Sequence, residues 1–520
     1  MTTLLTLLDG AGDDARIALV TAETGKKYSY KALRSLVLSF RDVLRNELGV
    51  KTGDVVAASY LNGVEFVLSF LGTGAARAIA APLNSAYTAK EYEFYLSDTK
   101  PVVLLLPRSA TKSHPAVKAA ELEGVRVAHF WLENDAVRVE TILAGKKSAS
   151  AAKQSDGGDP KPDDVALVLH TSGTTGRPKS VPLTHHNLVT TTGNIIRTYE
   201  LTPKDVTYLV MPLFHVHGLL AGLLAPFRSG GTVVVPEKFS AGRFWSDFAQ
   251  YGCNWYTAVP TIHSILLNTP LPNPLPKIRF IRSCSSSLAP STFERLEATL
   301  RAPVLEAYAM TEAAHQMTSN VVSNRHPGTV GVGIGVEISI RDDKGKEVPK
   351  GQVGEVCVRG ENVTKGYWEN EKANRESFWE GRWFRTGDQG RIHESGNLQL
   401  TGRLKELINR AGEKLSPVEI DSAILSCDGV AEAVCFGVED AKYGEIVWAG
   451  VVLKDQSKAG PKEEERLKKA LESKLAKFKI PQRIIFTPAI PKTATGKIQR
   501  RHVKEAFVVQ VKQQETRAKL

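Results

Sequence analysis

The stretch Val165–His170 runs directly into Thr171-Ser172-Gly173-Thr174-Thr175-Gly176-Arg177-Pro178-Lys179-Ser180 (VALVLH, then TSGTTGRPKS). A short apolar run before a Gly/Thr segment is typical of a buried strand that ends in a loop. Glycines let backbone N–H groups turn towards an anion, and serine and threonine hydroxyls add donors. Lys179 can neutralise a phosphate. Because the segment does not fit G-x-x-x-x-G-K-[ST], it predicts a phosphate-binding loop of another kind.

Upstream of this loop, short apolar segments alternate with amphipathic ones. Strands that alternate with helices are typical of α/β layers with largely parallel sheets. The predicted strands are 54–59, 78–83, 101–106 and 126–131, and a helix is predicted over 64–77.

Other segments mark the boundaries of this α/β pattern. Residues 144–164 are rich in Ala, Ser, Gly, Lys and Asp, which predicts a surface linker. From residue 331 to about 400, short strands with frequent glycine predict a small β-rich subdomain. The predicted fold class is α/β: a large N-terminal domain of layered α/β subdomains with the β-rich subdomain, then a small, mobile α+β C-terminal domain. The later predicted elements are a helix over 418–426, strands over 431–437 and 446–453, and a helix over 462–477.

Length and composition limit the class of protein. A chain of 520 residues predicts two or more domains, and 42% hydrophobic with 24% charged residues is typical of soluble globular proteins. The apolar stretch 218–227 is too short to span a bilayer, and residues 1–10 lack the basic flank of a secretory signal. The five cysteines include no C-x-x-C pair, which predicts reduced thiols.

Positive charge is concentrated at the C-terminus. The chain carries a net charge of +11, and residues 474–520 hold 12 Lys/Arg against two acids, Glu505 and Glu515. Such a segment attracts polyanions: nucleic acid, anionic lipid or a phosphorylated cofactor. A solvated basic face without a partner is the other interpretation. RNA binding through this segment stays open as an alternative function, although no RNA-recognition or zinc-finger signature accompanies it.

Four further segments follow the Gly/Thr loop in a recognisable order. They read EAYAMTE at 306–312, WFRTGD at 383–388, GRLKELI at 402–408 and PKTATGKI at 491–498. With the loop at 171–179, they resemble the adenylate-forming superfamily of acyl-CoA synthetases, luciferases and peptide-synthetase adenylation domains. The resemblance implies an N-terminal AMP-binding domain over 1–401 and a C-terminal AMP-binding domain over 402–520.

The resemblance implies a first half-reaction in which a carboxylate attacks the α-phosphorus of ATP and diphosphate leaves. Tyr308 would stack on adenine, Thr311 would contact the α-phosphate, and Glu312 would hold Mg²⁺, which prefers carboxylate ligands. Asp388 would bind the ribose hydroxyls with help from Arg403. Catalytic roles are implied for Lys497, His215 and Thr311. The implied ATP and AMP site is Thr171, Ser172, Gly173, Thr174, Thr175, Gly176, Lys179, Glu306, Ala307, Tyr308, Thr311, Asp388, Arg403 and Lys497.

In the implied second half-reaction, the thiol of coenzyme A displaces AMP after the C-terminal domain pivots. Lys405 matches the pivot position, and Gly412 matches a glycine beside the pantetheine tunnel. Lys414 matches a position that contacts the adenylate in related ligases, and we assign all three residues to coenzyme A binding. A peptide-synthetase adenylation domain would be followed by a carrier domain, which this sequence does not show.

The segments that match the acyl pocket are unusually polar. His215 and His217 stand in PLFHVHG at 212–218, and three consecutive serines stand in RSCSSSLAP at 282–290. His315 follows the metal motif. Hydroxyls and imidazoles suit a second carboxylate, whereas a fatty acid prefers an apolar tunnel.

Within the superfamily, this pocket resembles the oxalate–CoA ligases of fungi and plants. The resemblance implies oxalate as the acid, with Ser287, His217 and His315 as its polar contacts. A medium-chain fatty acyl-CoA synthetase is the alternative. The terminal Ala518-Lys519-Leu520 resembles the Ser-Lys-Leu address, which predicts a peroxisomal enzyme carried by the import receptor, with cytosolic residence left open.

Overall fold

The computed structural model describes residues 3–9, 12–145, 158–171, 178–493 and 496–517. Residues 146–157 of the predicted linker lie outside this part of the chain. Two large sheets are built from strands between residues 17 and 333, as the α/β prediction requires. One of them has seven strands and contains the strand that begins the Gly/Thr loop. Its order is Ala136–Leu143, Arg126–Glu133, Val103–Leu106, Val55–Ala58, Ile79–Pro82, Val165–Thr171 and Lys179–Thr184.

The inner strands of this sheet are parallel, and each edge ends in an antiparallel pair. The predicted parallel strands and the helix that follows the first of them are therefore confirmed. The second large sheet has nine strands and is parallel over its centre. Its order is Val332–Gly333, His315–Ser319, Val304–Met310, Phe280–Ser283, Trp255–Ala258, Val206–Leu209, Thr232–Val235, Ile17–Thr21 and Lys27–Ser29.

Two smaller sheets follow. The predicted β-rich subdomain is an antiparallel sheet of Glu337–Arg341, Gly354–Arg359, Trp383–Ile392 and Phe378–Trp379, with Leu398–Arg403 paired to the long strand. The last sheet consists of Glu413–Leu415, Ile408–Arg410, Gly444–Leu453, Val430–Asp440 and Arg483–Phe486.

Helices cover these sheets because each carries an apolar stripe. In the helix Tyr30–Asn46, Leu33, Val37, Phe40 and Leu44 recur at helical spacing and are fully buried. The other α-helices are Val64–Ala75, Ala89–Thr99, Pro115–Glu123, His185–Tyr199, Ala225–Arg228, Ala241–Gln250, Pro260–Leu267, Pro290–Leu300, Glu371–Glu376, Pro417–Leu425, Pro461–Leu471 and Arg500–Arg517.

Short helices of other kinds complete the fold. A π-helix spans His217–Leu224. The 3₁₀ turns are Leu4–Leu8, Thr311–Ala313, Glu380–Arg382, Gln456–Lys458 and Lys477–Lys479. In the described part of the chain, no helix is both long and apolar enough to cross a membrane.

The predicted helix over 462–477 was wrong at its C-terminal end, because the α-helix stops at Leu471. The turn that follows still gives a bond from the N–H of Leu475 to the carbonyl of Leu471. Leu467, Leu471 and Leu475 are all buried at a spacing of four. The apolar spacing therefore continues past the end of the helix.

Candidate active site

The Gly/Thr loop is closed by a β-hairpin. Thr171 pairs directly with Lys179 across the antiparallel strands Val165–Thr171 and Lys179–Thr184. The predicted phosphate-binding residues Ser172, Gly173, Thr174, Thr175 and Gly176 lie outside the described residues. Lys179 Nζ lies 4.4 Å from the ring centroid of Tyr367, whose hydroxyl donates to Glu312 Oε1 at 2.8 Å. One contact chain thus joins the base of the loop to the predicted metal ligand.

A polar cluster that the sequence did not indicate supports this hairpin. His170 Nε2 lies 2.7 Å from Asp98 Oδ2, and Ser180 Oγ lies 2.9 Å from His170 Nε2. Asp98 belongs to the helix Ala89–Thr99, so the cluster ties both hairpin strands to that helix. No local pattern points to it, because its three members come from two separate parts of the chain.

The predicted nucleotide residues come together although they are far apart in sequence. Tyr308 lies on the strand Val304–Met310, and its hydroxyl donates a hydrogen bond to Asp388 Oδ2. Asp388 pairs with Arg403 across antiparallel strands, and their side chains form an ion pair of 3.2 Å. Burial, followed by the negative charge of Asp388, raises the pKa of Tyr308 well above its usual value, so the phenol remains a donor.

Glu306 and Ala307 lie on the same strand as Tyr308, and both are buried. The Glu306 side chain is directed into the protein, where Oε1 accepts the backbone N–H of Leu288 at 2.8 Å. Burial raises the pKa of this carboxyl to about 8. Glu306 therefore anchors the serine-rich segment that ends at Leu288.

This raised pKa predicts a pH-dependent stability. Below pH 4.5, the ordinary pKa of glutamate, the Glu306 carboxyl is neutral in both the folded and the unfolded chain, and its burial does not lower the free energy of unfolding. That stability is lost as the pH rises through about 8, the pKa in the folded protein. Glu306→Gln cannot ionise, so its unfolding free energy at pH 9 is expected to exceed the wild-type value by roughly 1–4 kcal/mol, with little difference at pH 4. Chemical denaturation at both pH values measures this, with the exposed Glu394→Gln as control. Parallel pH profiles for the wild type and Glu306→Gln would contradict the assignment.

Thr311 and Glu312 begin the 3₁₀ turn Thr311–Ala313, which ends the strand of Tyr308. Glu312 is buried, and its backbone carbonyl accepts the N–H of Thr364 at 2.7 Å. Burial raises the pKa of Glu312, whereas the Tyr367 hydroxyl and the charges of Arg403 and Lys179 lower it. A single fixed carboxylate fits Mg²⁺, which usually takes one or two carboxylates together with substrate phosphates. Among the described residues, no group of three or more His, Cys, Asp or Glu side chains is placed to hold a metal ion.

Lys497 approaches this site on a loop from the C-terminal part of the chain. Thr261 Oγ1 donates to the carbonyl of Gly496 at 2.8 Å, which fixes the loop against the start of the helix Pro260–Leu267. Burial and the positive charge of Arg403 lower the pKa of Lys497, and the carboxylate of Asp388 opposes them. Burial and the charge of Lys497 lower the pKa of His215 to about 4, so that imidazole is neutral.

The docked loop predicts a glycine-specific defect. Gly496 has φ +79°, and a Cβ there would lie 3.2 Å from Val259 Cγ2. Gly496→Ala is therefore expected to slow diphosphate release by about 10-fold, since overpacking a tight contact costs about 1–3 kcal/mol. Gly396→Ala is the matched control, because its φ is +86° but an added Cβ meets no atom within 4 Å. Equal rates for the two variants would contradict the predicted docking.

The acid-pocket histidines form one buried cluster. The rings of His217 and His315 stack with centroids 5.2 Å apart, and Arg282 Nη2 donates to His315 Nε2 at 3.0 Å. His217 Nδ1 lies 3.0 Å from Ser285 Oγ, whereas the predicted contact Ser287 is exposed. The structure thus brings His217 and His315 together, and the hydroxyl that contacts His217 is that of Ser285. Arg282 was not predicted.

The residues assigned to coenzyme A lie apart from the buried cluster, on the surface. Lys405 and Lys414 are exposed, and Gly412 stands at the tip of a β-hairpin with φ +90°. Only glycine adopts that conformation readily. The narrow pantetheine passage beside Gly412 stays a prediction, because an added Cβ meets no atom within 4 Å in this arrangement.

Comparison with known proteins agrees with this geometry. The model of the AMP-binding enzyme family matches residues 10–368, and that of the AMP-binding enzyme C-terminal domain matches residues 419–497. The chain belongs to the AMP-binding enzyme family, which confirms the resemblance and the fold class.

Three relatives show how far the similarity extends. An oxalate–CoA ligase from Saccharomyces cerevisiae is 48% identical over 516 residues, which is 94% of each chain. An oxalate–CoA ligase from Arabidopsis thaliana is 46% identical over 488 residues, 92% of this chain and 93% of that one. The crystal structure of ATP-bound MatB from Rhodopseudomonas palustris has a TM-score of 0.86 at 30% identity, and covers 97% of this chain and 99% of the other.

Proposed function

We propose that this chain is an ATP-dependent oxalate–CoA ligase. Oxalate and ATP give oxalyl-AMP and diphosphate, and coenzyme A then gives oxalyl-CoA and AMP. The observation that carries the proposal is the buried polar cluster of Arg282, His217 and His315 in the segments that match the acyl pocket. Similarity to two oxalate–CoA ligases over more than nine-tenths of the chain supports it.

In the proposed first half-reaction, the residues of the site hold the nucleotide and offset the negative charge of its phosphates. Asp388 holds the ribose hydroxyls, and Tyr308 is fixed beside the adenine by its bond to Asp388. Lys179 and Lys497 face the phosphates, where a positive charge stabilises the developing negative charge of the transition state. Neutral His215 positions the acid near Lys497. Glu312 would hold Mg²⁺, which neutralises phosphate charge when it is bound.

The second half-reaction requires the Lys497 loop to leave. Among the described residues, the hydrogen bond from Thr261 to the carbonyl of Gly496 holds this loop to the N-terminal part of the chain. One rotation of the C-terminal part about the segment at 402–408 can break it. We propose that Lys405, Gly412 and Lys414 then form the path for coenzyme A.

A fatty acid fits this pocket poorly. An acyl chain packed against this cluster would leave the buried His315 Nδ1, which has no partner among the described residues, without an acceptor, at a cost of about 1–3 kcal/mol. The medium-chain alternative is therefore disfavoured.

A substrate panel tests the function. Diphosphate release with oxalate is expected to exceed that with malonate, acetate, octanoate and 4-coumarate, and a faster rate with octanoate or coumarate would refute the proposal. His315→Ala is expected to raise KM for oxalate about 10-fold or more while KM for ATP stays within about 2-fold. His326→Ala is the control, because that side chain is exposed on another loop.

We also propose that the enzyme is imported into peroxisomes through Ala518-Lys519-Leu520, which lie outside the described residues. The proposal rests on the similarity of this tripeptide to a known address. A fluorescent protein fused to the N-terminus should colocalise with a peroxisomal marker, and deletion of the three residues should abolish colocalisation. Colocalisation that survives the deletion would refute this route.

A further inference from the structure

Arg282 is a buried cation to which neither proposed half-reaction assigns a role. It lies on the strand Phe280–Ser283 with no exposed surface. Its Nε donates to the Tyr199 hydroxyl at 2.7 Å, and Nη2 also reaches Gln316 Oε1 at 3.3 Å. In the described part of the chain, all of its hydrogen-bond partners are uncharged and it forms no ion pair. A buried charge without a counter-ion is costly, so a ligand anion is the expected partner.

Arg282 also determines which way the neighbouring hydrogen bonds point. A guanidinium only donates, so His315 Nε2, 3.0 Å from Nη2, must accept. Burial lowers the pKa of His315 well below its usual value, and the charge of Arg282 lowers it further. The neutral ring therefore carries its proton on Nδ1. That atom is buried and has no partner among the described residues.

Arg282 also determines the position of the proton on His217. Thr257 Oγ1 accepts from Arg282 Nη1 at 3.0 Å and donates to His217 Nε2 at 2.6 Å. Arg282 Nη1 also lies 3.3 Å from His217 Nε2. His217 Nε2 must accept, so Nδ1 carries the proton and donates to Ser285 Oγ at 3.0 Å. The Ser285 hydroxyl then keeps its own hydrogen to donate, and the buried Cys284 thiol is one group within its reach.

Both ends of this network lie on unusual backbone. Ser285 has φ +73° and His315 has φ +89°, a region that residues other than glycine rarely adopt. Such conformations persist where the surroundings impose them, and they concentrate at functional sites. The Ser285 hydroxyl and the His315 Nδ1–H are thus held in place at a cost in backbone strain.

We infer that Arg282 is the positioning residue for the second carboxylate of a small dicarboxylate, the one that is not adenylated. It supplies the single positive charge that this carboxylate requires, and it fixes Ser285 O–H and His315 Nδ1–H as donors towards it. The inference rests on the proposed function, because it assigns a residue to the substrate proposed there.

The KM values for oxalate and ATP test whether the charge of Arg282 acts on oxalate. Arg282→Gln is expected to raise KM for oxalate by about 10–100-fold, the range for a charged hydrogen bond, with KM for ATP within about 2-fold of wild type. Arg282→Lys keeps the charge and is expected to recover part of the loss. An unchanged KM for oxalate, or equal increases for oxalate and ATP, would overturn the inference. Thermal unfolding of each variant shows whether it is folded.

Nuclear magnetic resonance of the wild type tests the hydrogen-bond directions without any variant at Arg282. Protein labelled with ¹⁵N in the histidine rings, assigned with His217→Asn and His315→Asn, is expected to show both rings protonated on Nδ1. Oxalate should shift the His315 Nδ1 signal. A proton on Nε2 of either ring would overturn the inference even if Arg282→Gln did not fold.

The two proposals fail in different ways. A wild type that turns over octanoate and not oxalate overturns the proposed function, and the inference with it. A wild type that prefers oxalate while Arg282→Gln keeps the wild-type KM leaves the function standing and removes only the role of Arg282.

Discussion

Replacing Lys497 with alanine is expected to reduce the rate of diphosphate release by about 10²–10³-fold, the usual effect of removing one group that stabilises transition-state charge. Lys497 is the cation that the docked loop brings within electrostatic range of His215, Arg403 and Asp388. Thioester formation from chemically prepared oxalyl-AMP is expected to stay near the wild-type rate, because in the proposed second half-reaction the loop leaves before coenzyme A reacts. Single-turnover assays of each half-reaction measure the two rates separately.

Lys492→Ala is the matched control for this experiment. Lys492 precedes the same loop, but its ammonium pairs with Glu432 at 2.7 Å within the C-terminal part. Its loss should change neither half-reaction by more than about 2-fold, as for a surface ion pair. Equal losses in both half-reactions of Lys497→Ala would show that the lysine supports the fold and not the adenylation step.

The nucleotide side of the site could be predicted from sequence because its residues stand in fixed local motifs. Tyr308, Asp388 and Arg403 come from three such motifs. Asp388 and Arg403 stand opposite each other in paired antiparallel strands, and their ion pair follows from that pairing. The hydrogen bond of Tyr308 to Asp388 joins two different sheets, and the motifs that carry these residues indicate it without any strand pairing.

The acid side could be predicted only in part. Histidines and serines are visible as polar residues in unexpected positions, but burial of Arg282 depends on several neighbouring elements at once. Its partners Tyr199, Thr257 and Gln316 come from a helix and two strands, and no spacing in the sequence links them. The sequence does not show that Ser285, and not Ser287, contacts His217. Ser285 has a left-handed backbone conformation, which cannot be recognised without the structure.

In the proposed reaction Asp388 connects the nucleotide to Lys497, and its replacement is expected to affect both. Asp388→Asn keeps the shape of the side chain and removes its charge. A charged hydrogen bond to the ribose contributes about 1.5–3 kcal/mol, so KM for ATP should rise about 10–100-fold. Arg403, paired with Asp388 at 3.2 Å, would also lose its counter-ion.

The second effect is on pH dependence. Burial and Arg403 lower the pKa of Lys497, and Asp388 and Glu406 raise it. Without the Asp388 charge that pKa falls further, so Lys497 loses its proton at a lower pH. Diphosphate release depends on the charged ammonium, and its alkaline decline should therefore move to lower pH in Asp388→Asn.

Glu406→Gln separates the two effects. Glu406 also raises the pKa of Lys497, but its carboxylate pairs with Arg500 at 3.3 Å and has no assigned contact with ATP. Its removal should move the alkaline decline in the same direction and leave KM for ATP within about 2-fold of wild type, as for a surface ion pair. If Asp388→Asn shifts the pH profile with an unchanged KM for ATP, Asp388 acts only on Lys497. An increased KM with an unshifted profile would place Asp388 on the ribose alone and remove Lys497 from its electrostatic range.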